Sequence, residues 1–148
     1  DAGREWGDVT GRAYGPLEFY CCEDAEIVIV TMGSMCGTAR DAIDELRASG
    51  IKAGMIKVRL LRPLPVEALR EALAGVPCAL VLDRNYSPGM GGILHQELKG
   101  ALFAMADAPR LHGLLAGVGG VNVSPPKLKQ LVTDYRDKEP VVGPVWVE

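Results

Sequence analysis

The chain has 148 residues, 48% hydrophobic and 24% charged, enough for one domain with a sizeable core. Its net charge of −3 comes from acids and bases interspersed along the sequence, so no basic stripe points to nucleic acid and no polybasic run to a membrane surface. No apolar run approaches the roughly 18 residues of a spanning helix, and no signal-peptide pattern opens the chain.

Position 1 is Asp1 rather than Met, which reads as a fragment or a processed piece. Residues 1–26 carry Gly3, Gly7, Gly11, Gly15 and Pro16 and follow neither the helical nor the strand period. They nevertheless hold Trp6, Tyr14, Phe19 and Tyr20, and a disordered linker normally lacks aromatics. This stretch is expected to be an arm or linker running in from a preceding domain, lying on the domain's own flank or on its neighbour.

From Ile27 onward, short apolar runs alternate with helical periodicity. Ile27–Val30 is a continuous β-branched run, as suits a strand covered on both faces. Ala39, Ala42, Ile43 and Leu46 recur at helical spacing, and Gly50 stops that helix. Met55–Val58 reads as a second strand, followed by Pro63, Pro65 and a short helix marked by Val66, Leu69 and Leu73. Ala79–Leu82 is the third strand, and Leu94, Leu98, Ala101, Leu102 and Met105 form the longest helical stripe. Leu111–Ala116 reads as a weaker fourth strand. Ser124 before Pro125 and Pro126 supplies a hydroxyl cap and a ring where no amide is needed, and Leu128, Leu131, Val132 and Tyr135 continue that helix. Residues 27–137 therefore predict an α/β fold, a three-layer sandwich with a mostly parallel sheet whose strand order stays open. The tail, 138–148, ends in Val145-Trp146-Val147 and is expected to dock as an extended segment.

Each strand exit carries a candidate site. Met32 to Thr38, with Gly33, Ser34 and Thr38, fits neither a dinucleotide fingerprint nor a P-loop. It is either a tight turn or a helix start facing an anion, and Thr38 with Asp41 has the spacing of a capping box. Arg59 and Arg62 follow the second strand and are suited either to clamp a phosphate or carboxylate or to pair with carboxylates at an interface. Asp83, Arg84, Asn85 and Ser87 stand over Gly89, Gly91 and Gly92. With no histidine near them in sequence, an Asp83–Arg84 ion pair holding the turn is expected before a catalytic pair. Gly117 and Gly119 mark another turn of positive φ or close packing.

Cys21, Cys22, Cys36 and Cys78 form no C-x-x-C pair, and His95 and His112 stand at no zinc-type spacing from them. Reduced thiols, structural histidines, no metal site and a cytoplasmic setting are expected.

Several of these segments together resemble a known family. Val30-Thr31-Met32-Gly33-Ser34 with Gly37-Thr38-Ala39, then Arg62-Pro63-Leu64-Pro65, Leu82-Asp83-Arg84-Asn85 with Ser87, Gly89 and Gly92, and Ala116-Gly117-Val118-Gly119-Gly120 occur in that order. From about Gly11 to Tyr135 the chain resembles the second domain of the alpha subunit of 2-oxoacid:ferredoxin oxidoreductases, pyruvate:ferredoxin oxidoreductase foremost. That domain is similar to the carboxyl-terminal domain of transketolase and of the E1 components of 2-oxoacid dehydrogenase complexes. In those relatives the third strand usually ends in acidic residues, whereas here it ends in Asp83-Arg84-Asn85.

The resemblance implies an enzyme that decarboxylates a 2-oxoacid on thiamine diphosphate and magnesium. Its electrons pass through iron–sulfur clusters to ferredoxin, and its acyl group goes to coenzyme A. This chain has neither the Gly-Asp-Gly run of a magnesium diphosphate site nor cluster-type cysteine spacing. The expectation is a structural and assembly domain, inert alone, with no catalytic residue. Its candidate residues Gly33, Ser34, Thr38, Arg59, Arg62, Asp83, Arg84, Asn85, Ser87, Gly89, Gly117 and Gly119 would face other domains or subunits, or border the coenzyme A route. A stand-alone coenzyme A or phosphate-binding module using Ser34, Arg62, Arg84 and the glycine turns is the alternative. So are an E1 or transketolase carboxyl-terminal domain and an interaction protein docking through its aromatic arm.

Overall fold

A computed structural model describes residues 2–147. The elements run α1 (Ala2–Thr10), β1 (Leu17–Tyr20), β2 (Ile27–Thr31), α2 (Met35–Ala48), β3 (Ala53–Val58), α3 (Val66–Leu73), β4 (Cys78–Asp83), α4 (Ile93–Ala101), β5 (Arg110–Ala116), α5 (Pro125–Tyr135) and β6 (Val145–Val147). The six strands form one sheet in the order β1-β3-β2-β4-β5-β6, and every pairing is parallel except β1 with β3. The expected α/β sandwich with a mostly parallel sheet is the observed fold.

The apolar runs sort themselves between two cores by strand alternation. Ile27, Ile29, Met55, Leu80 and Leu82 face the layer of α2 and α5, where Ile43, Leu46, Leu128 and Val132 are buried. Val28, Val30, Ile56, Ala79 and Val81 face α3 and α4, against Leu69, Leu73, Leu94 and Leu98. Each fully buried Ile or Leu stabilises the fold by about 1.5–3 kcal/mol relative to an exposed one, so the central strands need continuous apolar sequence.

Helix ends follow local chemistry. Past α2, Gly50 takes φ +85°, its amide donates to the Arg47 carbonyl (2.9 Å), and the Ile51 amide donates to the Leu46 carbonyl (3.0 Å). That is the Schellman arrangement, with Ile51 packed on the core behind it. Ser124 caps α5 by accepting from the Lys127 amide at 3.4 Å, as its sequence context predicts.

Several expectations are corrected. Helix α2 starts at Met35, so Gly37 and Thr38 lie inside it and the Thr38–Asp41 capping box does not form. The longest helix is α2, not α4, which stops at Ala101 and gives way to turns. Residues 2–10 are helical although their periodicity is masked by glycines, and none of them is buried. Strand β1 joins the sheet edge because Leu17 is buried and Arg47 staples the 21–24 loop, donating to the Cys21 carbonyl (2.6 Å) and to Asp24 (2.7 Å). The tail supplies β6, pairing Val145 with Leu114 and Val147 with Ala116. The sheet thus takes one strand from each side of the 27–137 span.

Candidate functional site

Strand order reverses around β2. Helix α2 leads from β2 to β3 on one side, while β4 lies on the other side of β2 and leads through α4 to β5. The β2–β4 ladder ends at Val30 opposite Val81, whereas β4 stays paired with β5 as far as Asp83 opposite Leu115. The two strands therefore part at their carboxyl ends. There the buried Thr31 hydroxyl donates to the Leu82 carbonyl (3.1 Å) in place of the missing ladder bond. In open α/β sheets such a reversal leaves a crevice where ligands bind.

Most polar groups at this edge are engaged in the fold. Asp83, only 2% exposed, accepts from the backbone amides of Leu94 and His95, each at 3.0 Å, and from the Asn85 amide at 3.2 Å. The Asn85 carbonyl oxygen accepts from the Ile93 amide at 3.0 Å. Together the two side chains satisfy the first three amides of α4, whose N-cap residue, Gly92, has no side chain to do so. A Cβ on Gly92 would overlap the Asp83 carboxylate, so this glycine is required by space; its φ of −73° suits any residue. Burial pushes the Asp83 carboxyl above its ordinary value, opposed by the donations of His95, Leu94 and Asn85. The expected Asp83–Arg84 ion pair is absent among the described residues, because Asp83 turns inward to the helix. Ser87 and Gly91 close a tight turn through reciprocal backbone bonds of 2.8 and 2.9 Å, with φ +80° at Gly89.

Arg59 and Arg62 are not brought to the crevice. Arg59 pairs with Glu18, which also takes Arg40 and Lys57, so one carboxylate of β1 sits among three cations. Arg62 pairs with Glu97 of α4 at 2.5 Å. Both arginines thus pair with carboxylates of this chain, where the sequence looks to an interface or an anion. Ser34, Thr38 and Arg84 do converge: an Arg84 Nη1–H donates to the Ser34 hydroxyl at 3.2 Å. Gly117 (φ +76°) and Gly119 (φ +68°) fold the neighbouring loop, and Arg84 Nε would stand 3.1 Å from a Cβ at Gly117. Gly33 (φ +68°) makes the turn into α2.

Sequence reading missed Glu18, Glu97 and Asn122. Glu18 lies in a four-residue strand without clean alternation, and Asn122 sits in a loop that no motif marks. A hollow of about 530 Å³ is lined by Arg4, Glu5, Gly7 and Asp8 of α1 and by Gly11 and Ala13.

His95 (7% exposed) packs against Gly113, where a Cβ would overlap its ring, and burial foremost pushes its pKa down to about 4. His112 stacks edge-on against Tyr135 at 5.2 Å, its pKa likewise lowered by burial. Cys78 is buried and its thiol pushed up to about 11. The described residues contain no group of three His, Cys, Asp or Glu able to hold a metal ion. No described helix is long and apolar enough to cross a membrane.

On the carboxyl edge, beside the exposed Ser34, Arg84 and Asn122, stands an apolar cluster. Tyr86 (41% exposed), Met90 (59%) and Ile93 (37%) flank the β4–α4 turn, and Trp146 (52%) of β6 stacks on Tyr86 with ring centroids 5.0 Å apart.

Comparison with known proteins places this arrangement. A family profile described as pyruvate:ferredoxin oxidoreductase core domain II matches residues 25–128. Pyruvate synthase subunit PorA of Methanothermobacter thermautotrophicus is 38% identical over 144 residues, 97% of this chain and 36% of the relative. Ketoisovalerate oxidoreductase subunit VorA of Pyrococcus abyssi is 39% identical over 137 residues, 92% of this chain and 35% of the relative. The chain spans about a third of the length of these curated relatives. Among solved structures, 2-oxoglutarate:ferredoxin oxidoreductase from Magnetococcus marinus matches 84% of this chain and 20% of its own, with a TM-score of 0.63 at 23% identity. An inactive β4 tetramer of a split-gene transketolase matches 84% of this chain and 39% of its own, with a TM-score of 0.57 at 22% identity. At that identity the structures speak for the fold alone.

Proposed function

The chain belongs to the pyruvate:ferredoxin oxidoreductase core domain II family, and from that membership we propose that it is an assembly domain of a 2-oxoacid:ferredoxin oxidoreductase alpha subunit. In this reading the whole enzyme oxidatively decarboxylates a 2-oxoacid, pyruvate foremost, yielding acyl-coenzyme A, CO2 and reduced ferredoxin. Thiamine diphosphate, magnesium and the iron–sulfur clusters belong to other parts of that enzyme, and this chain holds its carboxyl edge against them.

The observation that carries the proposal is the division of labour on that edge. The carboxylate and amide best placed for chemistry, Asp83 and Asn85, cap α4, while Tyr86, Met90, Ile93 and Trp146 face outward. Three of the Asp83 carboxylate's roughly four acceptor positions are filled and the residue is only 2% exposed, so it is shut off from a substrate proton. Clustered exposed aromatics around a polar rim have the composition of an interface core. Helix α1, which buries none of its residues, is proposed to rest on a neighbouring domain in the same way.

The test is 2-oxoacid-dependent reduction of a viologen dye in the presence of coenzyme A, measured on this chain alone and on the assembled enzyme. The chain alone is expected to give no turnover. Tyr86→Ser combined with Trp146→Ser is expected to leave the chain folded and lower the yield of assembled enzyme. Robust turnover by the chain alone would overturn the proposal.

A further inference from the structure

We propose that the crevice where β2 and β4 part is a binding site for the phosphate or diphosphate group of a small ligand. The crevice measures about 250 Å³ and is lined by Ser34, Met35, Thr38 and Arg84 and by residues 120–123, Asn122 among them. This goes beyond the assembly role and is independent of it.

The argument rests first on charge. Of the three arginines near the strand ends, Arg59 and Arg62 are neutralised by Glu18 and Glu97. Among the described residues Arg84 has no carboxylate partner, and no acidic side chain lines the crevice. Its one side-chain contact, the Ser34 hydroxyl, accepts from Arg84 and so keeps its own proton free to donate. Thr38 and Asn122 bring a further hydroxyl and amide with no side-chain partner among the described residues. Every polar side chain of the lining is thus able to donate, around one guanidinium fork. That set matches an acceptor-only dianion, since a guanidinium bonds phosphate oxygens in parallel pairs.

Position supports the same conclusion. The crevice sits where strand order reverses, the place in open α/β sheets where ligands collect. Its walls are fixed: the Thr31–Leu82 bond ties the strands together at its base, and Arg84 lies over Gly117, whose missing side chain admits the guanidinium. The start of α2 contributes little, because the Cys36 and Gly37 amides are taken by the Gly33 and Ser34 carbonyls at 3.4 and 3.2 Å. The volume admits a phosphate or diphosphate and leaves the rest of a larger ligand outside, along the edge.

Isothermal calorimetry and thermal melting of the full 148-residue chain, with inorganic phosphate and pyrophosphate at constant ionic strength, test the site. Pyrophosphate at tenfold excess over its dissociation constant is expected to raise the melting midpoint by about 3–6 °C. Arg84→Gln is expected to weaken binding about 10- to 100-fold and Ser34→Ala about 3- to 10-fold. Asn122→Asp, which leaves Arg84 untouched but adds an anion, is expected to weaken it about tenfold, and Arg62→Gln to leave it unchanged. The proposal falls if pyrophosphate shows no saturable binding, if Arg84→Gln binds as well as the parent with an unchanged circular dichroism spectrum, or if sodium chloride or acetate reproduces the shift. Because the readout is binding to this chain, it stands or falls without reference to assembly.

Discussion

Removing the Asp83 carboxylate should be the most damaging polar substitution in the chain. In Asp83→Ala the Leu94 and His95 amides lose their acceptor in a spot where the parent residue is 2% exposed, and Asn85 loses the anchor that aims it at Ile93. A hydrogen bond to a charged acceptor is worth about 1.5–3 kcal/mol, and a buried donor left without one carries a penalty of about 1–3 kcal/mol. Three such bonds do not add in full, because the cavity admits some water and Asp83 must itself be desolvated. The expected loss is about 3–5 kcal/mol, a fall in Tm of about 10 °C for a domain this size. Asp83→Asn keeps one carbonyl oxygen for one amide and turns an NH2 toward the other, so about 2–3 kcal/mol should be lost. Asn85→Ala, which frees only the Ile93 amide and the weak anchor, should lose about 1 kcal/mol. The double substitution should fall short of the sum, since the two side chains bond each other. Urea titrations at constant m-value measure all four. If Asp83→Ala loses less than about 1 kcal/mol, the cap is not what holds this edge together.

Two other perturbations follow from charge. Glu18→Gln leaves Arg40, Lys57 and Arg59 facing one another, with an expected loss of about 1 kcal/mol at low salt that largely disappears in 1 M sodium chloride; a salt-independent loss would mean packing rather than charge is responsible. His95 is held neutral by burial, with Lys99 and His112 adding to the effect, and its pKa lies near 4 against 6.5 when unfolded. The unfolded chain therefore takes up the proton first, so stability should fall by roughly 3 kcal/mol as pH drops from 6.5 to 4. His112, flanked by Arg110, Lys138 and Glu139, acts in the same direction. Asp83 acts in the opposite one near the low end, since its raised carboxyl makes the folded state bind a proton more tightly there. A urea midpoint that stays flat between pH 6.5 and 4.5 would refute the assignment.

The fold was legible wherever one local signal decided the conformation. Continuous apolar runs marked the central strands, Gly50 closed α2, and Ser124-Pro125-Pro126 opened α5. What escaped was decided by distant partners. Helix α2 begins at Met35, after a turn with φ +68° at Gly33, and not at a cap on Thr38. Strand β1 depends on β3 and on Arg47, neither adjacent to it in sequence. At the candidate site, the sequence left Arg59 and Arg62 open between an anion clamp and carboxylate pairing and expected Arg84 to pair with Asp83. Glu18 and Glu97, distant in sequence, take Arg59 and Arg62, while Asp83 turns inward to α4 and away from Arg84.

The Asp83–Gly92 segment explains why a string that reads as chemistry holds the fold instead. Helix α4 opens with a residue that has no side chain, so its amides need acceptors from elsewhere, and the end of β4 is the nearest source. Asp83 must be an acceptor, Asn85 must both accept and donate, and Gly92 must be bare because the carboxylate fills the place of its Cβ. These are one requirement expressed at three positions. Arg84 stands between Asp83 and Asn85 in sequence yet serves no part of the cap. Its guanidinium goes to Ser34 and the glycine loop across the crevice. A residue kept out of the structural bonding of its own motif, uncompensated by any acid among the described residues, is the one whose role has to be sought in what it binds.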